Sequence, residues 1–360
     1  SLGLSARATA LSSQTGASGA PTTSRQVLVS DTDRHVICLG ANTIGTTAQD
    51  LLLVRWSDQE NAVDWTPTVT NTAGSMRLSS GSEIITGTQT RQETLIWTDS
   101  SLYSMRFVGP PFTFSFALLA NNVSVLSPNL VVPVGDRVFW MDTENFFVYA
   151  GQIQTIPCTI LRYVFDDINL EQKLKFFGGS NRMFDEIFWF YCSSSSDDID
   201  RYVKFNHAEG TWDIGSLSRT AWVDFGLFSK PRAAGTINSS NFIYDHESGT
   251  TNDGSAMTSY IESSVFDIGD GNQFAFIKKL IPDIDISSAT GNGVDYILKT
   301  RNYPGESLTT NSTSSVTSTT KQADVRARSR SAVLRIQSSA DDISWTLGDV
   351  RMEIQPDGRR

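Results

Sequence analysis

The stretch LIWTDSSLY, residues 95–103, and its second copy VFWMDTENFFVY, residues 138–149, decide the fold. In each copy an apolar strand ends in Trp-x-Asp, a short polar turn follows, and a second apolar strand returns. β-Branched and aromatic residues on both arms, with Asp and Ser or Asn between them, are typical of a β-hairpin. Trp97 and Trp140 are 43 residues apart. Hairpins that recur at this distance predict the blades of a β-propeller.

Weaker copies of the pattern extend the repeat on both sides. Trp189 lies in a strand 49 residues after Trp140, residues 241–245 give a fainter copy, and residues 35–56 give a first one. We therefore predict an all-β, propeller-like body of hairpin blades over residues 27–252. Trp97, Trp140 and Trp189 are interpreted as packing anchors of the blades rather than as platforms for sugar stacking. Residues 159–176 carry apolar side chains near one helical face and predict a helix.

The amino-acid composition and the length of the predicted strands change at the two ends of this body. Residues 1–26 are rich in Ser, Ala, Gly and Thr, which predicts a flexible or partner-ordered arm. From residue 253 the predicted strands become longer, and the Ser/Thr tract at 307–320 is expected to interrupt them. This second part, residues 253–360, is predicted to form a β-sandwich-like domain.

Composition and charge exclude some classes of function. The chain has 360 residues and a net charge of −10, which argues against a protein that coats nucleic acid. The same charge is compatible with a pore that conducts DNA without binding it. No apolar run approaches the ~20 residues of a membrane span, so stable membrane insertion is not expected. Cys38, Cys158 and Cys192 are interpreted as buried thiols in a reducing compartment rather than as disulfides.

No catalytic, cofactor-binding or metal-binding residue is predicted, because no nucleophile, phosphate-loop, dinucleotide or zinc motif is present. Carboxylates cluster in two loops, at Asp58 and Asp64 beside Trp65 and at Asp142 and Glu144. In hairpins such carboxylates usually bond to the backbone of the turn, and the alternatives are a metal contact, a partner contact or a glycosidase-like pair. The chain is therefore expected not to be an enzyme.

Three arginines alternate along one predicted strand. Arg326, Arg328 and Arg330 share a parity that the apolar residues Ala332 and Leu334 continue. The pattern predicts one strand that runs from an exposed edge into the core. Three interpretations of these arginines are open: they lie on a solvated strand edge, they contact another subunit, or they contact DNA phosphate.

Several runs between residues 24 and 360 are more specific than a general strand pattern. They are SRQVLVSDTDRHV (24–36), WSDQEN (56–61), DWTP (64–67), NTAG (71–74), TDSSL (98–102), GPPFTF (109–114), VFWM (138–141), EIFWFY (186–191), WTLG (345–348) and QPDGRR (355–360). Together they resemble the tail nozzle, or packaged-DNA stabilisation, proteins of short-tailed bacteriophages.

The resemblance implies a structural virion protein of the phage tail, assembled in the host cytoplasm. Members form a homo-oligomeric ring, a hexamer, below the portal and adaptor proteins and above tail spike, fibre or needle proteins. The ring closes the channel, retains the packaged DNA and conducts double-stranded DNA without sequence-specific binding during ejection. Two alternatives remain: a carbohydrate-active tail depolymerase or glycosidase that uses loop carboxylates, and a propeller adhesin that binds glycans or a receptor.

Overall fold

The structure is a computed structural model that describes residues 10–237, 240–252, 254–267 and 271–358, and its regular secondary structure is almost entirely antiparallel strands. Contacts between Cα atoms divide the chain into two compact units, Ser1–Glu247 and Ser248–Arg360. No helix in the described part of the chain is long and apolar enough to cross a membrane.

Among the described residues of the first unit, five antiparallel sheets follow one another along the chain, and the strands of each sheet pair in chain order. Blade 1 contains β1 (Gln26–Val29), β2 (Val36–Leu39), β3 (Leu53–Trp56) and β4 (Gly74–Arg77), and blade 2 contains β5 (Ile84–Gln89), β6 (Thr94–Thr98), β7 (Ser101–Gly109) and β8 (Thr113–Asn121). Blade 3 contains β9 (Val131–Val134), β10 (Arg137–Met141), β11 (Phe146–Tyr149) and β12 (Ile153–Thr155), and blade 4 contains β13 (Phe177–Asn181), β14 (Glu186–Tyr191), β15 (Arg201–Asn206) and β16 (Thr211–Ser216). Blade 5 contains β17 (Ala221–Val223), β18 (Arg232–Ile237) and β19 (Ser240–Asp245). Since each sheet is a simple up-and-down meander, the prediction of a propeller-like body is confirmed.

The repeated hairpins form the interior of neighbouring blades. β6 and β7 make the first hairpin and β10 and β11 the second, with Trp97 opposite Leu102 and Trp140 opposite Phe147. The Trp97 and Trp140 rings meet edge to face, with centroids 5.3 Å apart. Both rings are fully buried, as is Trp189. Burial of each ring removes a large apolar area from water and stabilises the fold by roughly 2–3 kcal/mol.

Glycines on inner strands allow the blades to approach closely. A Cβ atom added to Gly178 of blade 4 would lie 2.4 Å from Cγ2 of Val132 in blade 3. One added to Gly179 would lie 2.6 Å from the Trp222 ring of blade 5. One added to Gly87 of blade 2 would lie 2.6 Å from Cδ1 of Leu39 in blade 1. A glycine inside a strand is therefore used here for close packing between sheets.

The connection between blades 3 and 4 differs from the predicted helix over residues 159–176. It contains the short helix α1 (Leu161–Phe165) and a separate 3-10 helix, Leu170–Lys175. Ile168 forms a β-bridge with Ser193 between them, and the Asn169 side chain accepts a hydrogen bond from the amide of Glu171 as the cap of the second helix. The bridge and the new cap break the helical path, so one long helix does not form.

The described part of the N-terminal segment lies against blade 1. It begins with the 3-10 helix Leu11–Ser13, and Leu11 and Ala20 pack against the small buried cluster that contains Trp65. The buried guanidinium of Arg55 donates a hydrogen bond to the carbonyl of Gly19. Residues 10–25 of the segment predicted to be an arm thus have contacts within their own chain, and residues 1–9 lie outside the described residues.

The part of the second unit that the structure describes contains three sheets and one small hairpin. The hairpin pairs β20 (Thr251–Asn252) with β21 (Ser255–Ala256), and the largest sheet contains β22 (Ser259–Glu262), β23 (Phe266–Asp267), β26 (Val294–Arg301), β27 (Thr309–Val316) and β29 (Ser331–Ser338). The other sheets contain β24 (Ala275–Ile281), β28 (Ala323–Ser329) and β31 (Arg351–Pro356), and β25 (Ile284–Ser288) with β30 (Ile343–Leu347). Ile277 and Val325 share one buried cluster with Tyr296 and Leu334 of the largest sheet. This shared core confirms the β-sandwich-like fold.

Two predictions within this unit were wrong. The Ser/Thr tract at 307–320 does not interrupt the strands, because threonine is a good strand former and Thr309–Val316 pairs along β26. The arginine row does not lie in one strand that enters the core. The chain changes sheets at Arg330, with β28 before it and β29 after it. The predicted parity holds in β28, where Arg326 and Arg328 are exposed and their neighbours are buried.

Candidate functional site: an axial cavity and a pocket between blades

The five blades of the first unit share one cavity at the start of their inner strands. Its volume is about 430 Å³. It is lined by Gln26 of blade 1, Thr86, Gly87 and Thr88 of blade 2, Pro128, Asn129 and Val131 of blade 3, Phe177 and Gly178 of blade 4, and Thr220, Ala221 and Trp222 of blade 5. Because every blade contributes to it, this axial cavity marks the axis of the propeller.

The walls of the axial cavity combine apolar surfaces with neutral polar groups. Gln26 is held by blade 2: its Nε2 donates to the carbonyl of Gly87 at 2.9 Å, and its Oε1 accepts from the amide of Gly87 at 2.6 Å. The indole N–H of Trp222 donates to the carbonyl of Ser180 at 2.7 Å. All twelve of the described lining residues are uncharged. The cavity therefore suits a neutral ligand better than an ion.

A second pocket lies between the β1–β2 turn of blade 1 and the β5–β6 turn of blade 2. Its volume is about 260 Å³. The two carboxylates that line it are Asp33 and Glu93, and Phe107 and Phe114 form its apolar wall. The Asp33 carboxylate accepts a hydrogen bond from Ser30 at 3.1 Å. This inter-blade pocket brings together two acidic groups that are 60 residues apart in the sequence.

Glu93 is the most strongly engaged carboxylate of this region. It accepts hydrogen bonds from the Ser104 hydroxyl, from Nε of Arg106 at 2.9 Å and from the Tyr149 hydroxyl at 2.5 Å. Burial raises the pKa of Glu93, but the bonds from Arg106, Ser104 and Tyr149 outweigh it and hold the pKa below its usual range. Burial and the neighbouring Glu93 raise the pKa of Tyr149 to about 12. Glu93 thus stays ionised and joins blades 2 and 3.

Two histidines near these sites are held neutral. His35 is buried against Phe114, and burial lowers its pKa despite the nearby Asp33 and Asp58 carboxylates. His246 accepts a hydrogen bond at Nε2 from Nε of Arg219 at 3.0 Å. Burial and then the charge of Arg219 lower the pKa of His246 to about 4. Neither ring is placed to accept a proton readily near neutral pH.

The predicted loop carboxylates of blade 1 serve the loop itself. Oδ1 of Asp58 accepts two hydrogen bonds from Thr72, from the amide and the hydroxyl, each 2.8 Å long. Oδ2 of Asp64 accepts from Asn71 at 3.0 Å. Trp65 is buried and donates to the carbonyl of Ala62 at 2.8 Å. The structure brings these three residues into one loop, where they organise its backbone.

The aspartates of the two Trp-x-Asp hairpins bond to neighbouring connections. Asp99 accepts from the amide and the hydroxyl of Ser82 at 2.7 and 2.6 Å. Asp142 accepts from the amides of Ser124 and Thr143 at 3.2 and 2.7 Å. Each therefore ties its hairpin to the chain segment that leads into its own blade. Glu144 is exposed and lies beside this turn.

The three arginines of the row lie in the second unit. Arg328 forms an ion pair with Asp357, and its guanidinium lies 4.1 Å from the Phe274 ring centroid. Arg330 lies 4.8 Å from the same ring and 5.2 Å from that of Tyr303. Arg326 is exposed. The row thus packs largely on aromatic side chains, as cation–π pairs do.

The sequence did not point to Gln26, Glu93 or Asn129. Each stands near the start or end of a short strand without a motif around it. Their importance comes from contacts between blades, and such contacts leave no mark in the hydrophobic periodicity of the sequence.

Cys38 and Cys192 are buried free thiols, and Cys158 is half-buried. Among the residues that the structure describes, no group of three potential ligands could hold a metal ion.

Comparisons with known proteins concern the fold. No family model and no curated protein matches the chain. A solved structure of exo-beta-1,3-galactanase from Phanerochaete chrysosporium is similar over 94% of this chain and 99% of its own, with 9% identity and a TM-score of 0.29. Another, a glycoside hydrolase, is similar over 89% and 94%, with 11% identity and a TM-score of 0.24. The expectation that the chain is not an enzyme is corrected by these neighbours, which are glycoside hydrolases. At such identities the likeness is one of fold alone.

Proposed function

We propose that this chain is a structural wall subunit of the tail nozzle of a short-tailed phage. The observation that supports the proposal is the set of sequence runs similar to that family. Several of these runs, among them 56–61, 64–67, 98–102 and 109–114, build the turns and strands of blades 1 and 2. In the proposed particle the chain is one of six copies in a ring, between portal and adaptor above and spike, fibre or needle proteins below.

The mechanism of such a nozzle is geometric. The axial cavity of one chain, about 430 Å³, has the size of a small-molecule site, so the proposed DNA path is enclosed by several subunits together. Subunits related by rotation form heterologous interfaces that close into a ring. The net charge of −10 reduces attraction between the wall and phosphate groups, which favours passage over binding.

The test is electron microscopy of the full chain mixed with its adaptor ring, together with the DNA content of virions that lack it. We expect a closed ring with an axial hole, and particles that lose their DNA when the chain is missing. A chain that stays monomeric with the adaptor, or particles that keep their DNA, would contradict the proposal.

The second candidate is a carbohydrate-active protein, and the inter-blade pocket is the observation that favours it. Asp33 and Glu93 line the same pocket, and paired carboxylates are the groups that glycoside hydrolysis needs. The lowered pKa of Glu93 suits a carboxylate that stabilises positive charge. Asp33 is the group left to donate or accept a proton.

Hydrolysis of host-surface polysaccharide by the full chain tests this second function. We expect Asp33→Asn to lower the rate at least 100-fold if Asp33 is the acid or base. Asp31→Asn changes an exposed carboxylate of the same turn outside the pocket and is the matched control. Equal rates for the two variants, or no hydrolysis by the unaltered chain, would exclude the inter-blade pocket as a glycosidase site.

A further inference from the structure

The axial cavity has the dimensions of a binding site. Its volume of about 430 Å³ falls in the range of about 300–1,000 Å³ in which small-molecule sites are found. It is bounded by residues from all five blades of the first unit. The cavity is a partly open depression, since its lining residues Asn129, Thr220 and Ala221 are exposed whereas Thr86, Gly87 and Phe177 are buried.

The cavity is built from rigid elements. Gln26 joins blades 1 and 2 through three hydrogen bonds: it donates one to the carbonyl of Gly87, and it accepts one from the amide of Gly87 and one from the Thr86 hydroxyl at 3.1 Å. Gly178 packs against Val132, which fixes blade 4 beside blade 3. The Trp222 ring stacks on Phe188 at 5.3 Å between centroids. Because these contacts fix the walls in advance, a ligand would lose little free energy to ordering the site.

Polar groups remain available to a ligand in the cavity. Gln26 uses one of the two N–H groups of its amide on Gly87, which leaves the second. Within the described residues, the side chains of Asn129 and Thr88 have no hydrogen-bond partner. An amide offers donors and an acceptor, and a hydroxyl offers both. The available groups thus match a ligand that carries several hydroxyl groups.

The apolar part of the lining sets the remaining chemistry. Trp222 has its indole N–H bonded to Ser180, so it presents carbon atoms to the cavity, and Phe177, Val131 and Ala221 add further apolar surface. Sugars carry C–H faces beside their hydroxyl groups and fit such mixed walls. A charged ligand would find no opposite charge among the described lining residues to offset the part of its hydration that it loses on binding.

We propose that the axial cavity is a binding site for a neutral sugar of monosaccharide or disaccharide size. Asn129, Thr88 and the free N–H of Gln26 bond to its hydroxyl groups, and Trp222 contacts its carbon face. This function is separate from the wall role and from the inter-blade pocket. It gives the propeller a recognition site for neutral glycan ends.

Ligand-observed saturation-transfer NMR and calorimetry on the full chain test the proposal. The probes are the neutral sugars glucose, galactose, mannose and N-acetylglucosamine, compared with glucuronate and glucose 6-phosphate. We expect at least one neutral sugar to bind, and the two charged sugars to bind at least tenfold more weakly. Absence of binding by all four neutral sugars, or equal binding of a charged sugar, would overturn the proposal.

Variants then locate the binding. Asn129→Ala removes one bonding group and is expected to weaken binding about three- to tenfold. Ala221→Phe fills the cavity and is expected to abolish binding, whereas Ala117→Phe on the exposed outer strand β8 is its matched control. If the melting curve of Ala221→Phe shows that this variant does not fold, the sugar affinity of Asn129→Ala decides the test. Unchanged affinity in the deciding variant would place the sugar elsewhere and overturn the proposal. These results leave the nozzle test unaffected, because that test measures ring assembly and DNA retention.

Discussion

At the scale of the residue, Glu93 is a buried carboxylate whose hydrogen bonds join two blades. Its side chain is 5% exposed, and three donors from β7 and β11 meet it. We expect Glu93→Gln to lower the free energy of unfolding by about 2–4 kcal/mol, since a buried network loses its charge and Arg106 loses its partner. Urea unfolding at pH 7 measures the change. Glu60→Gln, at an exposed pair with Arg34, is the control and should cost no more than about 1 kcal/mol.

The pH dependence of Glu93 has a definite sign. Its folded pKa lies below its ordinary value of 4.5, so its contribution is complete above about pH 4.5 and is lost as the pH falls through the folded pKa. The unaltered chain should therefore lose more stability between pH 5 and pH 3 than Glu93→Gln does. An equal loss of stability between pH 5 and pH 3 in the two proteins would show that the titration of Glu93 does not cause it.

His246 gives a second pH-dependent prediction, in a higher range. Its pKa is about 4 in the fold and about 6.5 in the unfolded chain, so its stabilising effect is complete above about pH 6.5 and decreases as the pH falls towards 4. Protonated His246 can no longer accept the hydrogen bond from Arg219. Hydrogen exchange corrected for intrinsic rate should show blade 5 opening more readily at pH 5 than at pH 7.

Two histidine variants separate the effect of His246 from acid destabilisation by other groups. His246→Gln keeps a hydrogen-bond acceptor without titrating, so the difference between pH 7 and pH 5 in blade 5 should disappear. His207→Gln, in blade 4, should leave that difference in place. The same pH effect in His246→Gln would assign the opening of blade 5 to another group.

At the scale of the element, the sequence predicted what local patterns encode and missed what packing between blades decides. The Trp97 and Trp140 hairpins were predictable, because alternating apolar residues and a polar turn lie within a dozen residues. Glu93 was not, because its partner Tyr149 lies 56 residues away in another blade. The tract at 307–320 was misread because its serines and threonines resemble a linker until β26 pairs with them.

The close contact between blades 3 and 4 can be tested by a mutant cycle. Gly178→Ala would place a methyl group 2.4 Å from Cγ2 of Val132, and we expect it to destabilise the fold by about 1–3 kcal/mol. Val132→Ala removes the obstructing methyl group at its own cost. The double variant should therefore be more stable than the sum of the two single effects by at least 0.5 kcal/mol. Simple additivity in urea unfolding would mean that the blades relax apart instead.

At the scale of the whole molecule, the cores of the two units are built separately. The clusters around Trp140 and around Val54 draw their residues from the first unit, and the cluster around Tyr296 draws its residues from the second. A domain folds alone when it owns its hydrophobic core, and residues 248–360 are within the usual size of such a domain. The sandwich therefore contains what independent folding requires.

We expect residues 248–360, produced alone, to fold cooperatively into the same β-sandwich-like structure. Dispersed amide resonances and a single urea transition would support this, because a shared core of two sheets unfolds as one unit. Tyr296→Ala, which removes a fully buried ring from that core, should lower its stability by about 3–5 kcal/mol. Tyr303→Ala, at an exposed ring, is the matched control and should change it far less. Collapsed amide resonances in the unaltered fragment would mean that this core depends on the first unit.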